Sequence, residues 1–149
     1  MKRTTEIFTG LRSLFRLYDK FLKRVCMEHN LTVIEADIIS FLRNNPGKDT
    51  AADIVELRML SKGAVSKGVD SLIQKSLLER IPDTEDRRKI HLRLMPQAGP
   101  VTETADEVGD EFLNTVFVGF TNEELEMQTL FLEIFFHNAK RAMEGRDMQ

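Results

Sequence analysis

The chain has 149 residues, of which 42% are hydrophobic and 30% charged. This composition is typical of one globular domain that buries its own core, and it excludes disordered and fibrous proteins. No apolar run approaches the roughly 20 residues that cross a bilayer, and the N-terminal segment lacks the apolar centre of a secretory signal. The only cysteine, Cys26, has no partner for an internal disulfide, so we expect a cytoplasmic protein.

Charge is distributed unevenly along the chain. The net charge is −3, but residues 1–93 contain 18 Lys and Arg against 13 Asp and Glu, whereas residues 94–149 contain 3 against 11. Such asymmetry indicates a basic working half and an acidic supporting half. The net charge therefore does not exclude a nucleic-acid partner.

A long first helix is predicted from Thr5 to about Glu28, because apolar residues recur at steps of three and four. They form two neighbouring columns: Ile7, Leu11, Leu14, Tyr18, Phe21 and Val25, with Phe8, Phe15 and Leu22 beside them. A stripe of this width buries two sides of a helix. One side can meet its own domain, and the other needs a partner.

Three shorter helices follow. Asn30 or Thr32 is expected to begin the second, with Glu35 completing a capping box, and Thr50 the third. Ser61 is the expected N-cap of the fourth helix, whose buried face contains Val65, Val69, Leu72 and Ile73. The opposite face carries small, hydroxyl-bearing and charged side chains: Gly63, Lys67, Asp70, Ser71 and Gln74, with Ser66 at the flank.

A β-hairpin is predicted after the fourth helix. The first strand covers residues 78–81, a charged turn follows at 82–88, and the returning strand alternates Ile90, Leu92 and Leu94 with His91 and Arg93. This period of two is typical of a half-buried ribbon. Two helices joined by a short turn and followed by such a hairpin predict a winged helix-turn-helix.

Two further helices are predicted in the acidic half of the chain. The fifth runs on Val101, Ala105, Val108, Phe112 and Val116, and the sixth begins at a capping box formed by Thr121 and Glu124. The middle of the sixth helix, FLEIFF at residues 131–136, is apolar nearly all round. We therefore expect it to be buried with the first helix in an oligomer interface.

The predicted fold class is mainly α with a two-stranded β-wing, in the order α1-α2-α3-α4-β-β-α5-α6. We expect a single domain over residues 1–149. Residues 31–95 form its winged helix-turn-helix lobe, and residues 1–29 and 100–145 form its dimerisation helices.

At this point the chain resembles the MarR family of bacterial transcription regulators. The resemblance rests on LSKGAVSK at residues 60–67, on Leu72 with the following LER at 78–80, and on DTEDRRKIHLRL at 83–94. The family's Asp-x-Arg pattern of the wing falls on Asp86, Arg87 and Arg88. Two connections depart from the family: Ser76 stands where glycine is usual, and Leu94-Met95 where Leu-Thr usually closes the wing.

Elementary chemistry predicts how such a lobe holds DNA. The free backbone amides at the start of the fourth helix suit a phosphate, and small side chains allow close approach to base edges. The expected contacts of the recognition helix are Ser61, Lys62, Gly63, Ser66 and Lys67. Those of the wing are Arg87, Arg88 and Lys89, which can reach the minor groove, with Asp86 orienting Arg88.

The predicted function is a sequence-specific, double-stranded DNA-binding transcription regulator. We expect a homodimer on a pseudo-palindromic operator, and the family resemblance implies a repressor relieved by a small ligand. Relatives commonly bind aromatic or phenolic anions between the dimer helices and the DNA-binding lobe; Phe15, Tyr18 and Phe41 are the candidate ligand residues.

The sequence lacks the motifs of several other classes of function. No nucleophile motif, glycine-rich phosphate loop or carboxylate pair occurs, so we expect neither an enzyme nor a cofactor. The three histidines have no ligand-like spacing, and no metal site is predicted. Two alternatives stay open: a winged-helix protein-interaction module that lacks DNA binding, and a redox or metal sensor of the same fold that would use Cys26.

Overall fold

The computed structural model describes residues 1–145, which form six α-helices, one short 3-10 turn and one two-stranded sheet. The helices are α1 (Arg3–His29), α2 (Val33–Asn44), α3 (Ala51–Arg58), α4 (Lys62–Gln74), α5 (Gly99–Val116) and α6 (Asn122–Met143). The strands are β1 (Leu78–Pro82) and β2 (Ile90–Leu94), and the 3-10 turn Pro96–Ala98 leads into α5. The predicted element order and fold class are confirmed.

The chain divides into two compact units, Met1–Phe112 and Leu113–Gln149. The first contains α1 to α4, the hairpin and most of α5. The second contains the end of α5 and all of α6. The predicted boundaries of the DNA-binding lobe and of the dimerisation helices remain predictions.

The helix starts follow the capping residues. Three helices begin with a capping box. In each box the N-cap hydroxyl accepts a hydrogen bond from the N–H of the residue three positions later, and the carboxylate of that residue accepts one from the N-cap N–H. The pairs are Thr32 with Glu35, Thr50 with Asp53, and Thr121 with Glu124. The Ser61 hydroxyl accepts from the N–H of Ala64 at 3.1 Å and begins α4. Of the two caps considered for α2, the structure selects Thr32.

The core of the first unit packs α2 and α4 against each other and against the inner faces of α1, α3, α5 and the hairpin. Its largest fully buried side chains are Phe41, Leu22, Ile38, Ile39, Ile54, Leu72, Leu78, Val25, Val65 and Val108. Gly68 lies where α4 meets α2, and a Cβ there would stand 2.7 Å from Cδ1 of Ile38. The close approach of these two helices therefore favours glycine at this position.

A buried carboxylate connects α2 to the end of α4. Glu35 is 3% exposed, and besides the Thr32 N–H it accepts from Lys75 Nζ at 2.9 Å and from the Ser71 hydroxyl at 3.0 Å. Burial would raise the pKa of Glu35, but these hydrogen bonds outweigh burial and lower it. Ser71 was predicted on the outward face of α4; it is half-buried, since its hydroxyl meets this carboxylate.

The hairpin is antiparallel, with Leu78 opposite Leu94, Arg80 opposite Leu92, and Pro82 opposite Ile90. Ser76, at the connection from α4, has a φ of 61°. Left-handed backbone costs a residue with a Cβ roughly 1–2 kcal/mol. Ser76 therefore holds this left-handed turn at some cost in stability, whereas glycine adopts such a backbone freely.

Apolar side chains remain exposed on α1 and α6. In α1 only Leu22 and Val25 are buried, whereas Phe8 is 59% and Phe15 67% exposed. In α6 no residue is buried, although its middle contains six large apolar side chains in succession around Glu133. Among the described residues, no helix is long and apolar enough to span a membrane.

Candidate nucleic-acid interface

The outer face of α4 presents every residue predicted to contact DNA from this helix. Ser61, Lys62, Gly63, Ser66 and Lys67 are all exposed, whereas Val65, Gly68, Val69 and Leu72 face the core. The first turn contains no acidic residue, so the positive end of the helix dipole is not neutralised there. This end of α4 can therefore accept an anionic group.

A cleft of about 630 Å³ lies between α3, α4 and the hairpin. Three of the predicted contact residues, Lys62, Gly63 and Ser66, line its α4 side. The other walls are formed by Ala51, Ala52, Val55 and Glu56 of α3, Val69 of α4, and Arg80, Ile90 and Leu92 of the hairpin. The start of α4 and the hairpin thus border one concave surface.

Arg80 adds a cation to this surface that was missing from the prediction. Its guanidinium forms an ion pair with Asp70, which lies on the exposed face of α4. Both side chains are about half exposed, so the pair contributes little to stability. Arg80 thus lies in the cleft wall opposite the start of α4, with its charge paired to Asp70. The sequence did contain an indication of this position, because side chains alternate between the two sides of a strand and Arg80 therefore lies on the same side of β1 as Leu78.

The tip of the wing is shaped by two aspartates that accept backbone N–H groups. Asp83 accepts from Glu85 at 3.0 Å and from Asp86 at 2.8 Å, and Oδ1 of Asp86 accepts from the Arg88 N–H at 2.9 Å. Asp86 therefore positions Arg88 by accepting the backbone N–H of Arg88. The prediction gave Asp86 an orienting role but did not specify the atoms.

The basic side chains of the tip are exposed and available. Arg87, Arg88 and Lys89 lie on the surface, and among residues 1–145 neither arginine side chain forms an ion pair. Arg93, at the base of the hairpin, pairs with Glu79 of the opposite strand. The arginines at the tip thus differ from the arginine at the base in having their charge free for an external anion.

His91 connects the hairpin to the segment before α3. Its Nδ1 lies 2.7 Å from Oδ1 of Asp49, and its Nε2 lies 2.7 Å from Oδ1 of Asp83. The N–H of Leu92 also donates to the Asp49 carbonyl at 2.7 Å. Spacing along the sequence gave no indication of this arrangement, because Asp49 and His91 are 42 residues apart.

The three candidate ligand residues have different environments. Phe15 is exposed, Tyr18 is half-buried with its hydroxyl 3.2 Å from that of Ser40, and Phe41 is 2% exposed beneath the guanidinium of Arg58. Phe41 is thus a core residue. The assignment of these residues to an effector site stays a prediction.

Cys26 is half-buried near the end of α1, and burial raises the pKa of its thiol. A raised pKa disfavours the thiolate that oxidants attack. Within the described part of the chain, no three His, Cys, Asp or Glu side chains are grouped as metal ligands would be. These features offer no support for a redox or metal sensor.

Comparisons with known proteins agree with this geometry. The family model described as "MarR family" matches residues 29–89, from the end of α1 to the wing. An uncharacterized HTH-type transcriptional regulator of Bacillus subtilis (strain 168), YsmB, is 29% identical over 73 residues, which cover 49% of this chain and 50% of that protein. The match thus spans about half the length of this relative.

Solved structures extend the likeness over almost the whole fold. The S. aureus MepR–DNA complex superimposes with a TM-score of 0.69 and 17% identity, covering 93% of this chain and 98% of that chain. Staphylococcus aureus MarR in complex with salicylate and kanamycin superimposes with a TM-score of 0.71 and 17% identity, covering 93% of each chain. Residues 29–89 thus match the model of the MarR family, whose members are winged helix-turn-helix transcriptional regulators, and the chain has the fold of the two solved structures.

Proposed function

We propose that this protein binds double-stranded DNA in a sequence-specific manner and regulates transcription as a homodimeric repressor. The observation that supports this most directly is the concave surface shared by the start of α4 and the hairpin. Lys62, Gly63 and Ser66 line it, and the wing arginines, which form no ion pair with any described residue, extend from the same hairpin. The DNA bound by the S. aureus relative supports this proposal.

Each part of the surface suits one part of a duplex. A helix that presents small residues can enter the major groove, where Lys67 reaches phosphate or guanine and the helix start meets a phosphate. The wing tip suits the adjacent minor groove, because arginine is favoured where that groove is narrow and its potential most negative. In this arrangement α4 determines which sequence is bound, and the wing contributes affinity.

The homodimer is proposed from the exposed apolar surfaces of α1 and α6 together with the end of α5. Soluble monomers rarely expose contiguous apolar patches of more than a few hundred Å². A two-fold dimer would recognise a pseudo-palindrome with half-sites about 34–36 Å apart, one turn of DNA. Repression then follows from occupying a promoter.

The salt dependence of binding to the DNA upstream of the protein's own gene tests the proposal. Each neutralised phosphate contributes about −0.9 to the slope of log K against log salt. We therefore predict a slope of about −7 for a dimer in which four cations of each protomer neutralise phosphates. These cations are Lys62, Lys67, Arg87 and Arg88. We expect fluorescence anisotropy to give this slope on one segment and much weaker binding to a scrambled duplex of equal composition.

The same titration separates the alternatives. A complex with no preference for any upstream segment, or a slope near zero, would contradict sequence-specific binding. A protein-interaction module of this fold would bind no duplex at 50 mM salt, where electrostatic binding is strong. Within residues 1–145 neither Arg87 nor Arg88 forms an ion pair, which favours the DNA-binding alternative.

We propose further that a small aromatic or phenolic anion relieves repression. The salicylate bound by the S. aureus relative supports this class of effector, and Phe15 and Tyr18 supply aromatic surface in α1. A ligand shifts an equilibrium only when it prefers one state, so it must favour a form that releases DNA.

Millimolar salicylate, used as the probe, is expected to lower operator affinity in the anisotropy assay, with benzyl alcohol as the uncharged control. Equal affinity with and without salicylate would contradict this choice of effector class.

A further inference from the structure

Both ring nitrogens of His91 face a carboxylate oxygen, in each case at 2.7 Å. A neutral imidazole has one N–H and one lone pair, so it can donate to only one of two carboxylates. The lone pair would face the second oxygen without a proton between them. When both aspartates are ionised, only the doubly protonated imidazolium donates to both Asp49 and Asp83, so the geometry favours the charged ring.

The two carboxylates belong to different parts of the fold. Asp83 lies in the hairpin with His91, and its carboxylate is already fixed by the N–H groups of Glu85 and Asp86 at the wing tip. Asp49 lies outside the hairpin, directly before the N-cap of α3. The charged ring therefore ties the shape of the wing tip to the helix-turn-helix.

Charged groups of both signs surround this contact. From the segment before α3 come Lys48 and Asp49, and from the first turn of α3 comes Asp53, which interacts electrostatically with Lys48 and Lys89. From the hairpin come Asp83, Lys89 and Arg93, and Arg93 is paired with Glu79. Asp49 and Asp83 are the groups in hydrogen-bond contact with the ring, so they dominate its charge state.

We propose that His91 is a positioning residue of the wing, whose loss of a proton loosens the hairpin and lowers affinity for DNA. This rests on the proposed function, because the wing is assigned there to the minor groove. Deprotonation of His91 removes one of its two hydrogen bonds. Loss of the bond to Asp49 frees the hairpin from the segment before α3, and loss of the bond to Asp83 changes the turn that carries Arg88. The Leu92 N–H bond to the Asp49 carbonyl stays, so the effect is graded.

The direction with pH follows from the ionic contacts. Hydrogen bonds to Asp49 and then to Asp83 raise the pKa of His91 above its ordinary value. The His91 contact first, and then the backbone N–H groups, lower the pKa of Asp83 to about 2, so this carboxylate remains ionised. The tether is thus complete below about pH 6.5, the ordinary pKa of histidine, and is lost as pH rises through the raised pKa of His91.

Operator affinity measured between pH 6 and pH 9 at constant ionic strength tests this inference. We expect the affinity of the wild-type protein to fall about tenfold over this range, which corresponds to a pKa difference of about half a unit between free and bound protein at each of the two His91 residues of the dimer. His91→Gln is expected to remove the pH dependence, since glutamine does not titrate. His29→Gln, at the half-buried histidine of α1, is the matched control and is expected to retain it.

Two results would overturn the inference: the same fall in His91→Gln as in the wild type, or none in the wild type. Asp49→Asn supplies a readout that a merely structural role would not move. It removes one ionic partner, so the midpoint of the affinity profile is expected to shift to lower pH.

A measurement without DNA separates this inference from the proposed function. The ¹⁵N shifts of the His91 ring are expected to report both nitrogens protonated at pH 6.5 and a transition at higher pH than the ordinary pKa of histidine. A ring that is neutral at pH 6.5 overturns the inference whatever the DNA result. Absence of a DNA complex at every pH would instead contradict the proposed function.

Discussion

Replacement of Arg88 by alanine is expected to lower operator affinity about a hundredfold while leaving the dimer and its thermal stability unchanged. The side chain is exposed and forms no ion pair among residues 1–145, so its loss leaves no buried partner unsatisfied. An arginine bound in a groove contributes about 1–3 kcal/mol. A two-fold dimer loses it twice, and each 1.4 kcal/mol is tenfold in affinity.

Arg93→Ala is the matched control for this prediction. It removes the same charge from the same hairpin, but at its base, where the guanidinium pairs with Glu79. We expect anisotropy titrations of the two variants, run beside size-exclusion chromatography, to show a small change for Arg93→Ala. Equal loss in both variants would indicate a general charge effect and would contradict the assignment of Arg88 to the wing contact.

Local chemistry made much of the fold predictable. The capping residues Thr32, Thr50, Ser61 and Thr121 each begin the helix expected of them, because a cap is decided by residues three positions apart. The alternation of apolar and polar residues at 90–94 predicted the second strand, because this pattern too is local to a few residues. Periodicity also separated the exposed side of α4, with Lys67, from its buried side, with Val65.

Contacts between distant parts of the chain were not predictable. Ser71 was placed outward by helical spacing alone, and it lies half-buried because Glu35 of α2 draws its hydroxyl inward. The contact of His91 with Asp49 depends on how the hairpin folds back onto the segment before α3. A single sequence does not indicate which distant residues are in contact, so these additional residues of the interface were identified only from the structure.

Introduction of a charge on α6 is expected to dissociate the dimer. This helix has 22 residues and none is buried, although packing of an apolar face supplies most of the stability of protein helices. We infer that a second copy covers this surface. Ile134 lies in the middle of the apolar stretch and is 51% exposed, so Ile134→Glu would place a carboxylate in the interface from each protomer.

The cost of this change is large because two unpaired charges must leave water. At a minimum of about 2 kcal/mol for each buried polar group without a partner, the dimer dissociation constant rises about a thousandfold. Sedimentation equilibrium at micromolar concentration is expected to show a dimer for the wild type and a monomer for Ile134→Glu. Operator affinity should fall with it, because one protomer occupies only one half-site.

Thr129→Glu is the matched control, since it introduces the same charge into the same helix. Thr129 precedes Ile134 by five residues and therefore lies about 140° away around the helix, among the acidic residues Glu126 and Glu133. We expect this variant to remain dimeric and to retain operator binding. If Ile134→Glu is still a dimer, the contact between protomers does not include the middle of α6. In that case the exposed end of α1, with Phe8 and Phe15, becomes the surface on which the two protomers must meet.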